Sequence, residues 1–147
     1  MNREIMEQLI RDGKLKRRSV DRHRAMSLLN AAKSGIEAVK NIKIAGGTAT
    51  LVFREYYECI RQLGDARWWS MGYEPKASHE VSMDILMEIK INEGIKLQKL
   101  DRFRRIRNNA NYRGYKVSIE EAEEIKDFWD SCGRDIINEI EKTISQN

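Results

Sequence analysis

The sequence is poor in the residues that break or replace helices. Its 147 residues include one proline, two cysteines and two histidines, and aromatics make up only 7%. With a charged fraction of 34% beside a hydrophobic fraction of 41%, that scarcity argues against a disordered or all-β chain and for ordered helix. Cys59 and Cys132 lie far apart, with neither metal-type spacing nor a histidine cluster beside them. A zinc site is therefore not expected, and both read as reduced core thiols of a cytosolic protein. His23 and His79 share no ligand spacing, so the expectation is no metal and no other cofactor. No segment approaches the run of about 20 apolar residues that a membrane span needs. The opening "MNREIMEQLIRDGKLKRR" also lacks a signal-peptide apolar region, so a cytoplasmic protein with no membrane partner is expected.

What is present is helical periodicity. Ile5, Leu9 and Ile10 form a short amphipathic stretch that stops at Gly13 and enters a basic run, Lys14 to Arg24. That run reads most simply as a solvated arm leading into a helix, and less readily as a phosphate-binding patch. Asp21 is placed to cap a helix whose apolar positions Ala25, Leu28, Leu29, Ala32, Ile36 and Val39 keep three-and-four spacing up to Gly46-Gly47. A longer helix is predicted from about Thr48 to Ser70, with Tyr56, Cys59, Ile60 and Leu63 on its inner side. Trp68 and Trp69 close it, and adjacent helical residues point about 100° apart, so one is expected in the core and the other partly exposed or at an interface. Gly72 and Pro75 precede a short third helix from about Ser78, and a fourth runs from after Gly94 to about Asn111. Ser118 and Glu121 make a capping box for the last helix, whose Ile119, Ala122, Ile125, Trp129, Cys132, Ile136, Ile140 and Ile144 form one apolar stripe. The expected fold is all-α: an antiparallel up-and-down four-helix bundle in a single domain, 1–147, with 1–20 as an N-terminal basic arm and 21–147 as the bundle.

Charge is unevenly spread. From Ser118 onward nine acids face three bases, 3 − 9 = −6, which leaves +10 on the first 117 residues of a chain whose net charge is +4. A basic body suits an anionic partner, although exposed helix faces are often lopsided without one. The sharpest anomaly is "RFRRIRNNANYRGY", Arg102 to Tyr115, with five arginines, three asparagines and two tyrosines. At about 100° per residue, Arg107 falls roughly 20° from Leu100 and 40° from Phe103, inside the apolar arc, while Arg102 and Arg105 project away from it. Burying a guanidinium costs several kcal/mol, on the order of the desolvation penalty, unless carboxylates or carbonyls satisfy it. Arg107 therefore pairs internally with Glu55 or Glu58, sits at a dimer interface, or lines a cleft where it meets a phosphate. Asn108 and Asn111 stand beside it and either hold an oxyanion with it or merely cap the helix.

Three stretches carry a family resemblance. "LIRDGKLKRRSVDRHRAMSLLNAAKSGIEAVKN", "TLVFREYYECIRQLGDARWWSMGYEPKASHE" and "LDRFRRIRNNANYRGYKVSIEEAEEI" resemble, in that order, the helices and motif of the HEPN superfamily of prokaryotic helical proteins. Many members are partners of small nucleotidyltransferases in toxin–antitoxin pairs. The resemblance implies a four-helix bundle and a homodimer in which two motifs meet in one cleft and, in catalytic members, cut RNA without a metal. The family motif is an arginine, a polar residue and, a few residues on, a histidine. Here Arg107 matches the arginine and Asn108 the polar follower, but Tyr112 stands where the histidine would fall. Histidine suits proton transfer at neutral pH, whereas tyrosine, with an ordinary pKa near 10, is a poor base there.

Three functions follow as expectations. The first is a dimeric RNA- or nucleotide-binding module paired with a nucleotidyltransferase antitoxin, in which the resemblance makes Tyr112 and Tyr115 the tyrosines open to modification. The second is an active metal-independent endoribonuclease using Arg107, Asn108 and Tyr112. The third is a structural oligomerisation bundle that binds no nucleic acid. Asn111, Arg104, Tyr115 and His79 are the further binding candidates, His79 because it stands near the expected start of the third helix.

Overall fold

The structure, a computed structural model, describes residues 1–76 and 80–146. The chain is mostly helical. Its elements in order are α1 (Arg3–Arg11), β1 (Leu15–Arg17), α2 (Arg22–Val39), α3 (Ala49–Ser70), β2 (Tyr73–Pro75), α4 (Glu80–Met87), a 3-10 turn (Gly94–Gln98), α5 (Lys99–Tyr112) and α6 (Ile119–Gln146). No helix among the described residues is long and apolar enough to cross a membrane.

α3 is the hub, packed against α2, α6, α4 and α5. Its apolar residues explain why: Val52, Phe53, Tyr56, Ile60 and Leu63 are each 1% exposed or less, so the helix buries more than one face. α6 lays its isoleucine stripe along this core, with Ile125, Ile136 and Ile140 fully buried. Such burial stabilises by about 1.5–3 kcal/mol per large aliphatic side chain. α4 crosses α3 so closely that a Cβ on Gly64 would lie 2.7 Å from the Ser82 carbonyl carbon, which only glycine avoids. Below that crossing, the Ser82 hydroxyl donates to Asp65, which also pairs with Arg61.

Helix boundaries follow local chemistry. The Asp21 carboxylate accepts from the Arg24 N–H at 2.9 Å and starts α2. The Glu121 N–H donates to Ser118 Oγ, and the Ser118 N–H donates back to Glu121 Oε1, both at 3.0 Å, forming the predicted box at α6. α2 ends at Val39, well before the two glycines expected to stop it. The Asn41 side-chain amide takes the Glu37 carbonyl at 3.0 Å, the acceptor that a continuing helix would have offered to Asn41's own N–H.

Two expectations fail locally. The basic run is not a free arm: β1 pairs antiparallel with β2, Leu15 opposite Pro75 and Arg17 opposite Tyr73, and the run's last residues already belong to α2. Leu15, 2% exposed, fills a second apolar cluster with Trp68, Val81 and Ile85, while Lys16 and Arg17 face solvent. One apolar residue among bases has no periodicity to betray it. The tryptophans are both buried, in different clusters. Trp68 donates from Nε1 to the Val81 carbonyl at 2.9 Å, and Trp69 lies in the main core beneath the Arg24 guanidinium, 4.3 Å from its ring centroid. Cys59 and Cys132 are free and buried.

Candidate functional site

α5 is oriented by its apolar side. Leu100, Phe103, Ile106 and Ala110 are buried, and the Phe103 ring meets Phe53 and Phe128 edge-to-face with centroids 6.0 and 5.5 Å apart. With that face fixed, Arg107 falls at the boundary of core and solvent and is half-buried. Its guanidinium carbon lies 5.6 Å from the Tyr57 ring centroid and 5.8 Å from that of Tyr112. These distances are within the range of cation–π attraction. Its hydrogen bond is from Nη1 to Asn108 Oδ1, long at 3.4 Å.

The expected carboxylate partners do not take Arg107. Glu58 is bound to Arg61 one turn further along α3. Glu55 makes no ion pair among the described residues; it accepts only from the Cys59 thiol, with sulfur 3.6 Å from Oε1. Burial and the neighbouring Glu55 carboxylate push that thiol up to about 12, so Cys59 is an inert neutral donor.

Arg107, Asn111, Tyr57, Glu55 and Arg54 line one open cleft of about 510 Å³, a size that suits a small organic ligand. Arg54 reaches across it, its Nη2 donating at 3.2 Å to the Ala110 carbonyl in the last turn of α5, where an unsatisfied acceptor and the negative end of the helix dipole favour a cation. Arg54 and Arg107 form no salt bridge among the described residues. Tyr57 is 2% exposed, and its hydroxyl has no hydrogen-bond partner among the described residues. Burial raises its pKa to about 12 against the pull of Arg107 and Arg104, so it stays a neutral donor at physiological pH.

The motif residues separate into two groups. Arg107 and Asn111 line the cleft, while Asn108 and the 76% exposed Tyr112 stand beside Arg107. Arg104 turns instead to Asp101 and, at 3.8 Å, to Asp84. Tyr115 leaves the cleft altogether. Gly114, at φ +67°, turns the chain so that the Tyr115 N–H closes on the Asn109 carbonyl at 3.1 Å, and the phenol donates to Glu121 Oε1 at 2.8 Å. That bond to a carboxylate raises the Tyr115 pKa. His79 lies outside the described residues.

Tyr57 and Arg54 are among the cleft residues that sequence reasoning missed. The available signal was the spacing of Arg54, Tyr57 and Arg61 at three and four residues along α3, which puts them on one stripe. No family model matches the chain, and no curated protein or solved structure matches it.

Proposed function

We propose that this chain is a HEPN-like antiparallel four-helix bundle, built on α2, α3, α5 and α6, that binds a phosphate of RNA or of a nucleotide in the Arg107 cleft. It acts in the cytoplasm as a homodimer and is paired with a small nucleotidyltransferase. The observation that carries this reading is the state of Arg107: half-buried, flanked by tyrosine rings and bound to no carboxylate among the described residues. A guanidinium prepared in this way meets phosphate through two parallel charge-assisted hydrogen bonds, each worth about 1.5–3 kcal/mol. Arg54 adds a second cation on the same wall, and Asn111 an amide. Leu51, 57% exposed, borders the cleft, and the exposed Tyr112 ring stands beside Arg107; together they offer apolar surface that a second copy would cover. Tyr112 is also the open modification acceptor, since the Tyr115 phenol is bound to Glu121.

Binding ranks above catalysis because no imidazole lines the cleft among the described residues. The enzyme reading keeps one support: the Tyr112 ring stands beside Arg107, its centroid 5.8 Å from the guanidinium carbon. The test is incubation of a mixed labelled RNA with the protein in EDTA, reading retention and cleavage together, with Arg107→Ala and Tyr112→Phe in parallel. Retention without cleavage, weakened in Arg107→Ala, supports the binding module. Cleavage lost in both variants would replace it with a ribonuclease in which Tyr112 acts. Absence of retention would leave the structural bundle.

A further inference from the structure

We infer that the cleft is a nucleotide subsite with two chemically opposite ends, in which Arg107 holds the phosphate and Glu55 reads the base edge, selecting guanine. This rests on the phosphate-binding reading above and adds a specificity residue to it.

The two ends belong to different walls. Arg107 comes from α5 and stands over Tyr57, whereas Glu55 lies against α2: a Cβ on Gly35 would be 2.8 Å from Glu55 Oε1. Residues two apart on a helix project about 160° from one another, so Tyr57 and Glu55 border the cleft from opposite edges of α3. An α-helix with its side chains is about 10–12 Å across. A single phosphate cannot touch both edges, but a nucleotide extended from phosphate to base can.

The chemistry of the far end is equally particular. Glu58 is neutralised by Arg61, but Glu55 has no cation among the described residues and is seated by the close approach of α2 rather than free to wave in solvent. A carboxylate offers acceptors only. Guanine presents two adjacent donors, the ring N1–H and the exocyclic amine, to a pair of carboxylate oxygens. Adenine and cytosine place a ring acceptor beside their amine, and uracil flanks its one N–H with two carbonyls, so each sets a lone pair against Glu55. The Tyr57 ring also lines the cleft beside Arg107, its hydroxyl buried and without a partner among the described residues.

The test is displacement of a labelled single-stranded RNA by guanosine, adenosine, cytidine and uridine 5′-monophosphates, with wild-type protein, Glu55→Gln and Arg107→Ala. A bidentate side chain–base pair discriminates by about tenfold or more. Guanosine monophosphate should therefore displace RNA at about one-tenth the concentration of the other three. Glu55→Gln should erase that preference by raising the guanosine monophosphate midpoint about tenfold, and Arg107→Ala should weaken all four. RNA retained through Arg107 but displaced equally by all four nucleotides would overturn the guanine assignment and leave the phosphate site standing. No RNA or nucleotide retained at all would overturn both. Glutamine matches glutamate in shape, and circular dichroism of Glu55→Gln separates a local from a folding effect.

Discussion

At the scale of the residue, Arg107 and Tyr57 make opposite demands on stability and binding. Arg107 has no ion pair to lose among the described residues, so Arg107→Ala should shift unfolding free energy by no more than about 0.5 kcal/mol, the range of a surface change, while weakening RNA binding. Chemical denaturation checks this, and a loss of several kcal/mol would make Arg107 a structural residue and remove the basis of the phosphate site. Tyr57→Phe removes a buried hydroxyl that has no partner among the described residues, so stability should stay level or rise, whereas losing a satisfied hydrogen bond costs about 1 kcal/mol. The same pair shows what sequence could reveal. Arg107 announced itself because a charge broke the spacing of Leu100 and Phe103. Tyr57 did not, because a tyrosine beside Tyr56 fits a core helix wherever it points, and only the placement of α5 makes one of them a cleft wall.

At the scale of the element, the long helices were legible and the short pieces were not. α3 and α6 follow apolar stripes many turns long, and their ends carry punctuation that works locally: the Ser118–Glu121 box and Gly114 at positive φ. β1, three residues long, is fixed by Leu15 reaching the Trp68 cluster, a tertiary contact with no sequence period. The early end of α2 depends on one side-chain amide, at Asn41, competing for a carbonyl. The α6 cap yields a pH prediction. Burial would raise the Glu121 carboxyl, but bonds from the Ser118 backbone, the Tyr115 phenol and the Ser118 side chain hold it below its ordinary range. A carboxyl depressed in the folded state stabilises above its unfolded pKa, about 4.3, and loses that contribution as pH falls through the lower folded value. Glu121→Ala should therefore cost about 1 kcal/mol at pH 7, and the gap to wild type should narrow steadily below about pH 4 in thermal melts. A gap independent of pH would mean the carboxylate is not what caps α6.

At the scale of the whole molecule, the charge asymmetry along the chain is partly offset by ion pairs between elements. Acidic α6 spends part of its charge on bases from other elements: Glu141 meets Lys33 of α2 at 2.7 Å, and Glu124 takes the Arg102 guanidinium at 3.1 Å. Arg61, Arg104 and Arg105 are likewise held by carboxylates. Several of the basic residues that look available in the sequence are thus already paired, and the cleft keeps Arg54 and Arg107 unpaired among the described residues. This distinguishes a built site from diffuse attraction by the basic run Lys14 to Arg24, because each phosphate contact releases its own counterions. For a single strand the logarithmic salt slope of binding changes by about 0.7 for each cation engaged. Arg107→Ala should flatten the slope by about 0.7 if one cleft engages the strand, and by about 1.4 if a homodimer places two copies of Arg107 on it. Fluorescence anisotropy of labelled RNA across a salt series reads the slope, and sedimentation under the same conditions gives the number of copies. A weaker but parallel salt line for the variant would mean that Arg107 shapes the cleft without touching phosphate, and that the electrostatic attraction comes from elsewhere on the surface.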